Sequence, residues 1–169
     1  MSSSFRFDEP DVFTAGAVGA PGARTFFFQA VEAGQVVSLK CEKQQVAALA
    51  QYLAELMADL PPVTPALSPA HLGLTEPVVA EWIAGSMGVA YDEADDRFVI
   101  VIDELVDEEE VTEPPGLARF RLTPAQVAAL IPWAEELVGQ GRPLCPLCGR
   151  PMDPDGHACP RSNGHHRPS

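Results

Sequence analysis

Two short sequence patterns each occur twice in this chain, and the order of these repeats limits the folds that it can adopt. The segment Phe13-Thr-Ala-Gly-Ala-Val-Gly19 resembles Trp82-Ile-Ala-Gly-Ser-Met-Gly88, 69 residues later. Gln45-Val-Ala-Ala-Leu49 recurs as Gln126-Val-Ala-Ala-Leu130, 81 residues later. Similar segments in the same order indicate an internal duplication. The larger second offset places an insertion in the second copy, which we assign to the acidic stretch 103–115.

Each copy is predicted to form about three strands followed by one helix. In the first copy, strands over 11–19, 25–32 and 35–41 precede a helix over 43–60 whose apolar residues recur at helical spacing. In the second copy, strands over 82–91, 97–105 and 117–122 precede a helix that ends at Gly139. Thr123, Pro124 and Gln126 form the N-cap, the first helical position and the capping box of that helix. Pro132 is expected to kink or divide it, because proline removes a backbone donor.

One helix cannot cover a three-stranded sheet, so we expect both units to pack as one pseudo-symmetric α+β domain. The predicted divisions are a first β3α unit at 1–60, a proline-rich connector at 61–77, a second unit at 78–139 and a tail at 140–169. Prolines at 61, 62, 65 and 69 favour an extended, semi-rigid connector.

Charge separates the body from the tail. The 169 residues carry a net charge of −13, but residues 1–139 hold 7 basic and 22 acidic residues, a charge of −15, whereas the tail carries +2. Because the body is strongly negative, it would repel the phosphate backbone, which disfavours binding of nucleic acid over a broad surface. The chain has neither an apolar run of about 18 residues nor a basic and apolar leader, from which we expect a cytoplasmic protein without a membrane span.

The tail contains the strongest chemical motif in the sequence. Cys145 and Cys148 are separated by two residues and followed by Gly149, and Cys159 lies within the same fifteen-residue stretch. Such clustering in a cytosolic chain is typical of metal binding, and the paired cysteines suit tetrahedral zinc.

The fourth ligand is expected to be a histidine, because Ser162 stands where a fourth cysteine would be and a hydroxyl is a poor zinc ligand. The spacing from Cys159 to His165 is ordinary for zinc fingers and is slightly favoured by geometry. His157 needs a turn at Asp155-Gly156 to reach the ion. The candidates are therefore His157, His165 and His166.

The tail resembles the C-terminus of an uncharacterised actinobacterial family, a domain of unknown function. Its members end in a cysteine knuckle, a Gly-His-x-Cys-Pro-Arg segment and an Asn-Gly pair, which match residues 145–149, 156–161 and 163–164 here. The resemblance covers the whole chain and implies no activity. It implies Cys145, Cys148, His157 and Cys159 as the zinc ligands, with His165 in reserve. Four protein ligands leave no open position, so we expect a structural zinc in a zinc-ribbon-like tail.

The sequence gives less support to a catalytic zinc site or a redox pair than to a structural zinc site. A catalytic zinc held by three cysteines would leave room for an activated water, but the chain lacks the His-x-Glu element of zinc deaminases, and Pro143-Leu144-Cys145 misses their Pro-Cys adjacency. A redox pair of Cys145 and Cys148 lacks the preceding βαβ context.

The remaining candidates have simple structural interpretations. We expect Cys41 and Trp82 in the core and His71 on the surface. The acidic residues of 103–115 lack the alternate spacing of a calcium loop and are expected to form a solvated loop. The repeated Ala-Gly-x-x-Gly element is expected at close strand contacts, or alternatively along a pseudo-symmetric groove.

Three function classes follow. Because no catalytic constellation stands out, the favoured class is a non-enzymatic interaction or regulatory protein that presents its acidic insertion and zinc tail to a protein partner. The second is an enzyme with a site between the two copies. The third is RNA or ribonucleoprotein binding through the tail, by Arg142, Arg150, Arg161, Arg167 and His166.

Overall fold

Six strands and both helices lie where the apolar periodicity predicts them. The computed structural model describes residues 2–20, 22–110 and 113–139. Within these ranges the elements are β1 (Phe5–Phe7), β2 (Val12–Val18), β3 (Thr25–Glu32), β4 (Gln35–Cys41), α1 (Lys43–Met57), a 3-10 helix (Pro69–His71), β5 (Ala80–Asp92), β6 (Arg97–Glu104), β7 (Leu117–Leu122) and α2 (Pro124–Gly139). The expected α+β class is therefore confirmed.

Three details differ from the sequence-based expectation. α1 ends at Met57, three residues earlier than predicted. α2 is one uninterrupted segment with Pro132 inside it, so this proline does not divide the helix. β1 was not expected, because its three residues are too few to show a periodicity and only their pairing with β7 makes them a strand.

The seven strands of the described residues form one sheet in the order β1-β7-β6-β5-β4-β3-β2. β2, β3 and β4 pair antiparallel, as do β5, β6 and β7. The two groups join through parallel pairing of β4 with β5, and β1 adds to β7 in parallel. Each helix thus follows three neighbouring antiparallel strands, and the sheet continues without interruption between the two groups.

The sheet curls around its core until side chains from strands at opposite ends meet. The rings of Phe13 on β2 and Phe120 on β7 lie 4.9 Å apart, although these strands are separated in the sheet. Trp133 of α2 donates a 2.7 Å hydrogen bond to the carbonyl of Ala15 on β2. Both helices pack on this inner face and contribute to the same apolar core. Neither described helix has the length and apolar composition that a membrane crossing requires.

Both helices begin with the same arrangement of a glutamine. The side chain of Gln45 accepts a 2.7 Å bond from the Glu42 amide, and that of Gln126 accepts a 2.9 Å bond from the Thr123 amide. Thr123 also accepts from the Gln126 amide, so the predicted capping box is confirmed. Each glutamine then donates across to the other half of the sheet: Gln45 to the Ala84 and Gly85 carbonyls, and Gln126 to the Pro10 carbonyl.

The proline-rich connector does not stand away from the body. Its residues fold over the outer face of β2, β3 and β4, opposite to the helices. Buried Thr14 donates a 2.6 Å bond to the Leu72 carbonyl. Buried Gln29 both donates to the Thr75 carbonyl, at 2.9 Å, and accepts from the Thr75 amide, at 2.7 Å. The connector is therefore a packed layer over the first half of the sheet rather than a free spacer.

Candidate docking surface

The predicted zinc ligands lie outside the described residues. Cys145, Cys148, His157 and Cys159, with the reserve His165, all fall in 140–169, as do the tail arginines. Within 2–20, 22–110 and 113–139, no group of three or more His, Cys, Asp or Glu side chains is placed to hold a metal ion. The zinc prediction therefore depends on the tail alone.

Cys41 and Trp82 lie in the core and His71 lies on the surface, as the sequence predicts. Cys41 is buried in the core, and desolvation followed by the nearby Glu42 charge raises the pKa of its thiol to about 12, which keeps it neutral and unreactive. Trp82 is buried and donates a 2.8 Å bond to the Ser3 carbonyl. His71 is exposed and bonds to the Ser68 hydroxyl.

The acidic insertion begins with a structural carboxylate. Glu104 accepts hydrogen bonds from the Gly116 amide, at 2.8 Å, and from the Ser2 hydroxyl, at 2.7 Å. These bonds, the amide first, lower the pKa of Glu104. Beyond it, residues 107–110 form an exposed turn in which Asp107 accepts from the Glu109 amide. The described part of the insertion is thus an exposed acidic turn, as expected.

Two of the repeated glycines, Gly16 and Gly85, lie against other parts of the chain. A Cβ atom on Gly16 would lie 2.4 Å from Cγ of Leu74, so the connector packs directly on this glycine. A Cβ atom on Gly85 would lie 3.0 Å from the backbone of Leu105. Gly16 and Gly85 therefore permit close approach of other parts of the chain, whereas a Cβ atom on Gly88 would meet nothing within 4 Å.

The outer face of the second half of the sheet differs from the first, because the connector does not cover it. Strand pairing aligns Arg6, Arg119, Val101 and Gly88 side by side across β1, β7, β6 and β5. These residues alternate with core residues, so they lie on the side of the sheet that faces away from the helices. We call this region the open sheet face; its outward residues are Arg6, Ile83, Gly88, Ala90, Asp92, Arg97, Val99, Val101, Asp103, Leu105, Leu117, Arg119 and Arg121.

Part of the open sheet face is apolar. Ile83 is 41% exposed, Leu117 is 42% exposed and Leu105 is 60% exposed. The Leu105 amide donates to the Ile83 carbonyl at 2.7 Å, which holds these two residues side by side. Val101, on β6 of the same face, is half-buried. Exposed aliphatic side chains that are contiguous on one face are characteristic of interaction sites.

Positive charge is concentrated on the same face. Four of the seven basic residues in 1–139 lie here: Arg6, Arg97, Arg119 and Arg121. Arg6 and Arg119 are neighbours in register and share one carboxylate, Asp8, at 3.1 and 3.9 Å. Arg121 is held by Asp92 at 3.5 Å and Asp95 at 3.1 Å. The pair of Arg6 and Arg119 therefore retains an excess positive charge on an otherwise acidic body.

A polar cleft of about 550 Å³ lies at one end of this face. It is lined by side chains from the loop before β2, the end of β3 and the start of β6. The described lining residues are acidic or arginine, without a histidine, cysteine or hydroxyl nucleophile: Asp8, Glu9, Glu32, Asp95, Arg97 and Arg121. Without a nucleophile among the described lining residues, none of these carboxylates can act as a general base beside one. The cleft therefore gives no support to the enzyme class.

These features define an α+β protein with one curled sheet, two helices inside it and one outer face that the described connector leaves uncovered. The chain belongs to the family described as Protein of unknown function (DUF3090), whose model matches residues 5–159. No curated protein and no solved structure matches the chain significantly. The family match spans the body and continues into the tail as far as Cys159.

Sequence reasoning did not identify the open sheet face. A signal was present in β7, where Leu117, Arg119 and Arg121 alternate with buried residues. Such alternation predicts one solvated face, but it cannot show which other segment covers that face. Only the position of the connector distinguishes the covered half of the sheet from the open half.

Proposed function

We propose that this protein is a non-enzymatic docking module whose open sheet face binds an acidic, aliphatic segment of a protein partner. The observation that carries the proposal is the unequal cover of the sheet: the connector buries the outer face of β2–β4, whereas the outer face of β5–β7 and β1 exposes aliphatic side chains beside arginines. Four neighbouring strands make this face about 14 Å wide, which suits a short peptide segment.

Charge selects the kind of partner. A partner has to approach a body that carries −15, so a basic segment would be attracted nearly everywhere and would gain little specificity at this face. An acidic segment would be repelled elsewhere and attracted where Arg6 and Arg119 share one carboxylate. The exposed Ile83, Leu105 and Leu117 then match aliphatic side chains of the partner. No exposed aromatic side chain is among the residues of this face, which disfavours base stacking with RNA.

We also interpret the two halves as copies of one β3α unit. Three antiparallel strands precede a helix in each, and Gln45 and Gln126 cap their own helix and bond to the opposite half in the same way. An internal duplication accounts for both similarities. In this interpretation the connector covers the outer face of one copy only, which leaves the equivalent face of the other copy for a partner.

Selection from a random peptide display library tests the docking function on the full chain. We expect the enriched peptides to combine Asp or Glu with aliphatic residues. Arg119→Glu is expected to weaken the best synthetic peptide at least about tenfold, because it reverses one of two adjacent cations at the site. Binding should also weaken as salt concentration rises.

The matched control is Lys43→Glu, a charge reversal of the same sign at the first residue of α1, away from the sheet face. It should leave peptide affinity within about twofold. Enrichment of basic peptides, or equal affinities for R119E and the wild type, would contradict the proposal. RNA binding that survives in R119E and is lost on changing the tail arginines would support the nucleic-acid class instead.

The tail supplies a structural zinc site in the same proposal, held by Cys145, Cys148, His157 and Cys159. The fourth cysteine of the chain, Cys41, is buried in the core and leaves only the tail cysteines as ligands. The match to the family model covers these four positions. Four protein ligands describe a site that stabilises folding and offers no position for an activated water.

Zinc content and limited proteolysis test this site. We expect one zinc ion per chain, lost in His157→Asn and retained in His165→Asn, because a carboxamide is a poor replacement for an imidazole ligand. Removal of zinc by a chelator should increase cleavage after Gln140 and leave the body resistant. An unchanged digestion pattern would contradict a structural role. Zinc loss in H165N with retention in H157N would assign the fourth position to His165.

A further inference from the structure

The second half of strand β5 has one edge to which no described strand pairs. β4 pairs with β5 only as far as Lys40 and Ile83, and β4 then ends at Cys41. β5 itself continues to Asp92. Among the described residues, no strand pairs with this side of β5 beyond Ile83. We call residues 86–92 the free β5 edge.

The burial of the neighbouring side chains agrees with this position at an edge. Three residues of β6 face the core and are 0% exposed: Phe98, Ile100 and Ile102. Their partners in register on β5 pack against the same core but are only half-buried: Tyr91, Val89 and Met87. A strand that has a neighbour on one side only leaves its core-facing side chains partly open to water in this way.

The free β5 edge lacks the features by which natural proteins block the pairing of edge strands. Residues 86–91 are Ser-Met-Gly-Val-Ala-Tyr, without a charge or a proline. The first charge is that of Asp92, which Arg121 holds at 3.5 Å. Pairing with β6 is regular from Met87 to Asp92, so the backbone of β5 is extended and can accept a further strand on its other side.

We propose that the free β5 edge pairs with the same edge of a second copy of the chain, antiparallel and about a two-fold axis at Val89. On the core side, Val89 then meets its own counterpart, and Met87 meets the counterpart of Tyr91. Apolar side chains that are half-buried in one chain thus cover each other. On the outer side, Gly88 meets the counterpart of Ala90, and both are small enough to let the strands approach.

Charge favours a second copy over other extended segments. The side chains of 86–91 carry no charge that could select an acidic or a basic partner, so the matching segment is itself neutral and apolar, as this one is. Antiparallel pairing about Val89 also keeps the two Asp92 carboxylates at opposite ends of the contact, so that like charges do not lie opposite each other. The two-fold axis is perpendicular to the sheet, which places both open sheet faces on the same side of the dimer.

Sedimentation velocity of the full chain over a wide range of concentration tests the proposal. We expect the wild type to dimerise reversibly and Gly88→Asp to weaken the dimer at least about tenfold, because it adds a carboxylate to each side of the contact. A Cβ atom at Gly88 meets nothing within 4 Å, so the monomer has room for the new side chain. A wild type that stays monomeric at every concentration would overturn the proposal.

The matched control is Gly73→Asp, the same change in the connector, where a Cβ atom also meets nothing within 4 Å. It should leave the dimer constant within about twofold. Equal weakening by G73D and G88D would show that added negative charge alone opposes association, and would overturn the assignment to the free β5 edge. Circular dichroism checks that both variants are folded.

Amide hydrogen exchange of the wild type locates the contact without any substitution. We expect exchange within 86–92 to slow as the protein concentration rises, because the outer amides of β5 become hydrogen-bonded in the dimer. Protection of 86–92 that is the same at all concentrations would mean that another segment of the same chain covers this edge, and would overturn the proposal. So would concentration-dependent protection confined to other residues.

The salt response separates self-association from peptide binding. Each copy carries a net charge of −13, so screening by added salt should strengthen the dimer. The same salt should weaken the binding of acidic peptides to the open sheet face. The dimer does not depend on the docking function, and either proposal can therefore fail while the other holds.

Discussion

Replacement of Phe120 by alanine is expected to lower the free energy of unfolding by about 3–5 kcal/mol. Phe120 is buried at the centre of β7, with its ring 4.9 Å from that of Phe13 and 5.7 Å from that of Phe7. These contacts join strands from both ends of the curled sheet, so the cavity left by the ring lies where the two ends meet. Neighbouring groups cannot fill it without moving β2 toward β7. Urea denaturation followed by circular dichroism measures the change.

Phe5→Ala provides the control, because it removes the same side chain from half-buried β1. We expect it to cost less than about half as much, since part of the ring is already in contact with water. If the two variants were equally destabilised, the contact between Phe120 and Phe13 would not be a main source of stability.

Replacement of Gln29 by leucine is expected to lower the free energy of unfolding by about 2–4 kcal/mol. The buried Gln29 amide donates to Ser38 and to the Thr75 carbonyl and accepts from the Thr75 amide. Leucine has a similar volume, so the change removes hydrogen bonds without leaving a large cavity. The polar groups of Thr75 and Ser38 then lose their partner. Denaturation measures the stability, and amide hydrogen exchange at Thr75 should become faster.

Gln44→Leu is the corresponding control, because Gln44 is exposed on α1. It should change stability by less than about 0.5 kcal/mol. Unchanged exchange at Thr75 in Q29L would show that other contacts hold the connector on the sheet. Faster exchange, together with binding of aliphatic peptides to the uncovered β2–β4 face, would support the view that cover by the connector distinguishes the two halves.

Local sequence signals predicted most of the secondary structure. Gly and Asp turns, alternating apolar residues and the capping pattern from Thr123 to Gln126 act over a few neighbouring residues, so they can be recognised without the fold. The same signals predicted that Cys41 and Trp82 are buried. They did not predict β1, because Phe5–Phe7 gains its hydrogen bonds only from β7, more than a hundred residues away.

The sequence by itself determined the strands and helices, the separation of an acidic body from a basic tail, and the cysteine spacing that predicts zinc. Only the tertiary structure decided which outer sheet face is covered, which cations lie together and where a strand keeps a free edge. The physical reason is the distance along the chain over which each interaction acts. Periodicity and helix caps depend on residues within a turn or two of one another. The contact of Gln29 with Thr75 and the alignment of Arg6 with Arg119 depend instead on how distant segments pack.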